Sequence, residues 1–273
     1  MQLLDLPCEL LLLIGENLSV NDLSHVLRVN RQLSCLLSPH FYKLALEDVG
    51  PFSALEWAAI RGHASLADLV LSKGARADRP KRRRIFQTPL HLAVAHNHPD
   101  VIRVLVKHRV HPNAIDIEFG TPLHVAALNE SQQVIKVLLE LGADMASTGT
   151  QGGTPAHTSA FLGDIGSMRA FIDAGLDLSI KGRQGQTVLH AAIANKKGRM
   201  VEFLLEHGGE KIMDAQDSSG WTPLHLASYE SSADEGIVKL LCYHGADTEL
   251  VNNRGETPAD LATRWRQIGG FFD

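Results

Sequence analysis

Five histidines recur at a fixed period: His91, His124, His157, His190 and His225. Imidazole is the side chain best suited to bind a metal or pass a proton near neutral pH, so their spacing decides what they do. Each follows a threonine by three residues, and the threonines Thr88, Thr121, Thr154, Thr187, Thr222 and Thr257 step by 33, 33, 33, 35 and 35 residues. Side chains a whole structural repeat apart cannot share a metal at ligand distances of ~2 Å. The uniform period accounts for them as structural hydrogen-bonding groups. His96 and His98 in AHNHPD make a short tract of their own, but no third ligand accompanies them. HExxH, GxSxG, the P-loop and the kinase motif set are all absent. GTQGGTP, residues 149–155, is rich in glycine but lacks the Lys-Ser/Thr that would hold phosphate and Mg²⁺. Cys8, Cys35 and Cys242 are far apart, with no metal-ligand or redox spacing, as expected of a reducing, intracellular compartment. The chain reads as a non-enzyme with no metal site and no cofactor.

The elements that position these histidines come from the same period. TPLHLA begins at Thr88, TPLHVA at Thr121, TPAHTS at Thr154, TVLHAA at Thr187, TPLHLA at Thr222 and TPADLA at Thr257, with a weaker SALEWA at Ser53. Threonine caps a helix, and proline suits the first helical position, where no N–H is needed. Each motif is followed by an amphipathic stretch that stops near a glycine, as in VIKVLLELGAD, MVEFLLEHGGE and GIVKLLCYHGAD. One such helix pair cannot bury its own faces, whereas a stack of them can. The repeat at Thr154 is atypical, because polar Thr158 and Ser159 replace apolar residues. The repeat at Thr257 has room for little of its second helix before Asp273.

This pattern resembles the ankyrin-repeat family. The resemblance covers residues 52–273 and implies an all-α fold: a solenoid of six to seven repeats, starting near 53, 88, 121, 154, 187, 222 and 257, with protruding fingers and a protein-binding surface. Residues 1–50 show no such period. LPCELLLLIGENL opens them, but its acidic flanks Asp5, Glu9 and Glu16 and its short apolar run exclude an export signal and a membrane span. Leu10, Ile14 and Leu18 fall on one helical face, and Leu11, Leu12 and Leu13 extend it further round. Three short helices with that much apolar surface need a cover. The order Leu6, Pro7, Glu9, Leu10, Ile14, Leu18, Asp22, Leu23, Val29 and Arg31 resembles an F-box, although Leu33 stands where many F-boxes have tryptophan. That resemblance implies a Skp-type adaptor partner held by Leu6, Pro7, Leu10, Ile14 and Leu18, and a role as the substrate-recruiting subunit of an SCF-type cullin–RING ubiquitin ligase. The alternative is a cap on the first repeat of an ankyrin scaffold or regulator with no ligase link.

Charge and aromatics point to a second surface. Residues 51–87 carry eight Lys/Arg against three Asp/Glu, most of them in RPKRRR at 79–84, while the whole chain is at −5. The run fits a solvated finger, a nuclear import signal at 80–84 or a contact for an acidic partner. Gly152, Gly185, Gly220 and Gly255 stand two residues before their threonines, where Phe86 and Phe119 stand in the first two fingers. A phenylalanine cannot adopt a glycine turn cheaply, so those two fingers must turn differently. Arg82, Arg83, Arg84, Phe86 and Phe119 are the candidate partner-binding edge, unless both rings fold inward. The 5% aromatic content argues against a stacking platform for nucleic acid. The expected protein is intracellular, cytoplasmic or nuclear, and monomeric outside its complex.

Overall fold

A computed structural model describes residues 54–72, 74–77, 88–116, 118–229 and 235–269. The expected bundle over 1–50, with Leu6, Pro7, Leu10, Ile14 and Leu18, lies outside the described residues, as do Arg82, Arg83, Arg84 and Phe86. Among the described residues every regular element is helical, in two compact units that divide after Asp116.

The first unit holds α1 (Ala54–Arg61), α2 (Ala64–Ser72), α3 (Pro89–Ala95) and α4 (Pro99–Lys107). The SALEWA copy forms α1 although it lacks the threonine–proline start. Ala58, Ala59 and Ala93 are fully buried, so α1 and α3 approach closely. Leu55, Leu90, Val101, Ile102 and Leu105 fill the space around them. His98 Nε2 lies 3.0 Å from the Ile60 carbonyl, tying α4 to the end of α1. Asp68 on α2 meets Lys107 at 3.0 Å and His108 at 2.8 Å. The His108 bond, then the Lys107 bond, holds the Asp68 carboxyl below its ordinary range.

The second unit repeats the pair four times, with a further first helix. Its helices are α5 (Pro122–Leu128), α6 (Gln132–Glu140), α7 (Pro155–Leu162), α8 (Ile165–Asp173), α9 (Val188–Ala194), α10 (Gly198–Glu206), α11 (Pro223–Tyr229), α12 (Glu235–Tyr243) and α13 (Pro258–Gly269). The first helices α5, α7, α9, α11 and α13 pack in one row, each on the next. They start as the sequence requires: Thr121, Thr154 and Thr187 are extended N-caps. Leu123, Ile135, Leu138, Met168, Phe171, Leu189 and Leu204 are fully buried between the rows.

The two 35-residue steps have separate causes. Between Thr187 and Thr222 the extra residues form a 3-10 turn, Gly209–Ile212, which buries Ile212 and Met213. Between Thr222 and Thr257 they fall between α11 and α12, where residues 230–234 lie outside the description.

The repeat at Thr154 is the departure expected from its polar motif. Ala156 stands where leucine stands in its neighbours, and Ser159 where alanine does. Ser167 on α8 takes the place of Val101, Val134 and Met200. Both serines are fully buried, and neither hydroxyl has a hydrogen-bond partner. Met168 and Phe171, also fully buried, restore part of the missing volume.

Candidate functional site

The histidine row is settled by its hydrogen bonds. In the second unit the Thr121, Thr154, Thr187 and Thr222 backbone N–H groups each donate to Nδ1 of the histidine three residues on, at 3.2–3.3 Å. The threonine hydroxyls approach the same nitrogens at 2.8–2.9 Å. A nitrogen that accepts an N–H carries no proton of its own, so these imidazoles are protonated on Nε2. Nε2 then donates 3.0 Å to a carbonyl in the next finger: His124 to Gly153, His157 to Gln186, His190 to Trp221 and His225 to Glu256. Burial is the largest cause holding His124, His157 and His190 below the usual imidazole range, while the carbonyl bond pulls the other way. Each ring caps its own helix and ties it to the next repeat; both nitrogens are occupied, and none is left for catalysis or metal. At Thr257 the motif has Asp260 instead, whose carboxylate accepts from the Thr257 N–H at 2.9 Å and its hydroxyl at 2.8 Å. Among the described residues no group of three or more His, Cys, Asp or Glu is placed to hold a metal, and no helix is long and apolar enough to cross a membrane.

The fingers carry the second set of expectations. Gly152, Gly185, Gly220 and Gly255 have φ of 78, 73, 75 and 75°, so the left-handed residue sits two before the threonine. In the Phe119 finger it moves one residue on, to Gly120 at φ 84°. That finger does turn differently, as the phenylalanine requires. Phe119 is half-buried. Of the expected partner-binding edge only Phe119 is described; Arg82, Arg83, Arg84 and Phe86 lie outside the described residues.

A surface that the sequence reading missed lies at the other end of the first helices. The residue seven after each motif threonine is Leu128, Phe161, Ala194 and Tyr229 along the second unit. Leu128, Phe161 and Tyr229 are 45, 48 and 40% exposed, although they continue helices whose other apolar residues are buried or, at Leu162 and Leu226, half-buried. Exposed apolar residues scattered singly are ordinary, but these recur at one register in packed helices. Trp221, half-buried, packs edge-on against Tyr229 with ring centroids 4.8 Å apart. Asn195 donates 2.7 Å to the Phe161 carbonyl, fixing the junction between α7 and α9. The result is an apolar, aromatic stripe bordered by amide groups. Such a stripe can bind another protein's side chains; it holds no arrangement that would transform them. Its trace in the sequence is the register Leu128, Phe161, Ala194 and Tyr229, large and apolar or aromatic in three repeats of the four.

Comparison with known proteins bears on the same residues. The family model for ankyrin repeats in three copies matches residues 55–149 and 123–214, and the single ankyrin repeat matches residues 219–253. The chain is similar to the solved ankyrin-repeat domain of Bcl-3, a member of the IkappaB protein family, at TM-score 0.70 and 28% identity, covering 80% of this chain and 98% of that one. The ankyrin-repeat domain of human ASB11 superposes at TM-score 0.63 with 24% identity, over 80% of this chain and 97% of that one, a likeness of fold. Human 2-5A-dependent ribonuclease is 44% identical over 71 residues, 26% of this chain and 9% of that protein. Human protein phosphatase 1 regulatory subunit 27 is 33% identical over 72 residues, 26% of this chain and 44% of that protein. The chain thus spans less than half the length of these curated relatives.

Proposed function

The chain belongs to the ankyrin-repeat family, and from that premise we propose that it is a non-catalytic protein-binding module whose second unit holds a partner along Leu128, Phe161 and Tyr229. One observation carries this: large apolar side chains stand exposed at one register where a monomer gains nothing by exposing them. Phenylalanine and tyrosine are enriched in the cores of protein interfaces, and tyrosine among the residues that carry most of their energy. The relatives that are enzymes by name match this chain only over ankyrin-length segments, so their activities belong to the rest of those proteins.

The finer reading is that of a substrate-recruiting subunit of an SCF-type cullin–RING ubiquitin ligase. It is supported by the residue order in 1–50, where Leu6, Pro7, Leu10, Ile14 and Leu18 match an F-box, and by the apolar excess of that segment. The F-box would hold a Skp-type adaptor while the ankyrin repeats hold the substrate. A second reading, an ankyrin scaffold or regulator whose residues 1–50 cap the stack, is favoured by the relative named as a phosphatase regulatory subunit. The proposed place of action is intracellular, with residues 80–84 as an import signal or a solvated finger.

Co-purification from the protein's own cells separates the two. Wild type should bring down adaptor and cullin, and Leu6→Ala/Pro7→Ala should lose both while keeping its ankyrin partner. Phe161→Ser/Tyr229→Ser should do the reverse. A wild type that never retains the adaptor ends the ligase reading, and partners unmoved by the Phe161/Tyr229 change end the stripe.

A further inference from the structure

The stripe has a gap. Ala194 stands where Phe161 and Tyr229 stand in the repeats on either side, and it is exposed. Half-buried Ala191 lies one helical turn before it. The Trp221–Tyr229 pair forms one side and the Asn195–Phe161 junction the other. A methyl between two exposed rings leaves a notch for one bulky side chain.

Cations of the same repeat stand at the two ends of α9, which is about 10 Å long. Arg183 is exposed in the finger before α9, and its Cβ, Cγ and Cδ lie 2.6, 3.0 and 3.1 Å from where a Cβ on Gly152 would be. Its stem therefore rests on the preceding finger in space that only glycine leaves. Past the other end of α9, the Lys197 Cδ and Cγ lie 2.8 and 3.1 Å from the same point on Gly163, two residues after Phe161. Lys196 and Arg199 beside it are exposed. Stems laid on glycine backbone hold their charged ends with less freedom to lose on binding. Two nearby aspartates cap backbone N–H groups. Asp164 accepts from Gly166 and Ser167 N–H, and Asp217 from Ser219 and Trp221 N–H.

We infer that the second unit recognises a partner segment in which one large apolar side chain is bracketed by carboxylates. The apolar side chain fills the notch at Ala194 between Phe161 and Tyr229. One carboxylate, about three residues of extended chain away, reaches Arg183 at the finger end of α9, and the other meets Lys197, with Arg199, past the Ala194 end. This rests on the binding role proposed above and names its partner's chemistry. Apolar fit supplies the affinity, and the cations at the two ends of α9 set orientation and speed encounter.

The test is selection of random short peptides on the full chain, followed by fluorescence anisotropy on those enriched. The expected peptides carry Leu, Met, Phe or Trp with Asp or Glu on both sides, and bind more weakly as salt rises. Ala194→Trp, which fills the notch, and Arg183→Glu/Lys197→Glu should each weaken binding ~10-fold or more, with unchanged thermal unfolding. Enrichment of basic peptides, of peptides without an apolar residue, or of none at all overturns the inference, as does tight binding that survives Ala194→Trp. Peptides of another composition that still depend on Phe161 would sink this chemistry and leave the binding role standing.

Discussion

Acidification should destabilise this protein well above the carboxylate range. The reasoning starts at Nδ1 of His124, His157 and His190, which accepts a backbone N–H and is approached by a hydroxyl. A proton added there faces the threonine N–H hydrogen, so one bond must break and a charge must be buried. Each ring is accordingly held below the imidazole range, first by burial. In the unfolded chain the same rings take up protons at about pH 6.5. The unfolded state therefore binds more protons below that pH, and the sign follows: the stabilisation is complete above about pH 6.5 and is lost as pH falls toward the folded values. One histidine contributes at most about 1.4 kcal/mol per pH unit, and three together about 4 kcal/mol per unit. Against a total of about 5–15 kcal/mol for a folded domain, a slope of that order is readable in an unfolding midpoint. Asp68, Asp177 and Asp260 are also lowered, Asp68 and Asp177 chiefly by side-chain hydrogen bonds and Asp260 by its backbone bond from Thr257. Their stabilisation is present above the ordinary carboxylate range and fades only below about pH 4, so the window between about pH 5 and 6.5 belongs to the histidines. Urea unfolding across that window, followed by circular dichroism, reads the slope. A midpoint that stays flat, or rises on acidification, would refute the assignment of neutral, Nε2-protonated rings.

Three further outcomes follow from single sites. Ser159→Ala and Ser167→Ala each remove a buried hydroxyl without a partner and should stabilise by about 1–3 kcal/mol per site, read as a higher urea midpoint; a loss would mean that something already satisfies the hydroxyl. Gly220→Ala should destabilise by more than about 1 kcal/mol, because φ is 75° and the new Cβ would lie 2.5 Å from Asn253 Oδ1 and 2.7 Å from its backbone nitrogen; an unchanged melting temperature would contradict this. Asn252→Ala loses the acceptor for Arg254 and Glu256 N–H at 2.8 and 3.1 Å and the donor to the Glu256 carboxylate at 3.0 Å. Hydrogen exchange in residues 252–257 should quicken while α7 and α9 stay protected, and uniform quickening would show that the finger is not a local unit.

The helices were legible because each motif residue has one job that no other residue type does as well. Threonine caps, proline starts, and histidine both accepts and donates across repeats, so a period of 33 residues in the letters is a period in space. The Phe119 turn was legible for a related reason: a side chain that excludes a left-handed backbone forces that conformation onto a neighbour, here Gly120. The finger aromatics were harder to weigh. Half-burial of Phe119 follows from how its finger lies, which one-residue turn geometry does not determine. Residues 1–50 were read from pattern alone, since their excess of leucine says that a cover is needed and not what the cover is.

The stripe at Leu128, Phe161 and Tyr229 escaped for a more instructive reason. On a lone amphipathic helix an apolar residue near the end counts toward the core face, and these three look like ordinary continuations of TPLHVA, TPAHTS and TPLHLA. What excludes them from the core is the row itself. Positions two, three, five and six past each threonine already fill the contacts with the paired helix and with the next repeat, as Leu123, His124, Ala126 and Ala127 do in α5, all of them buried. The seventh position is then left partly outside the core, 40–48% exposed where it is large. Selection by packing stops there, and the residue is free to run from Leu to Phe to Ala to Tyr along the second unit. Variation in size at a fixed register, beside positions that scarcely vary, is therefore the mark of surface in a stacked repeat. The same comparison locates Ser159 and Ser167, where variation falls on positions that packing does constrain and the molecule carries the cost as two unsatisfied hydroxyls.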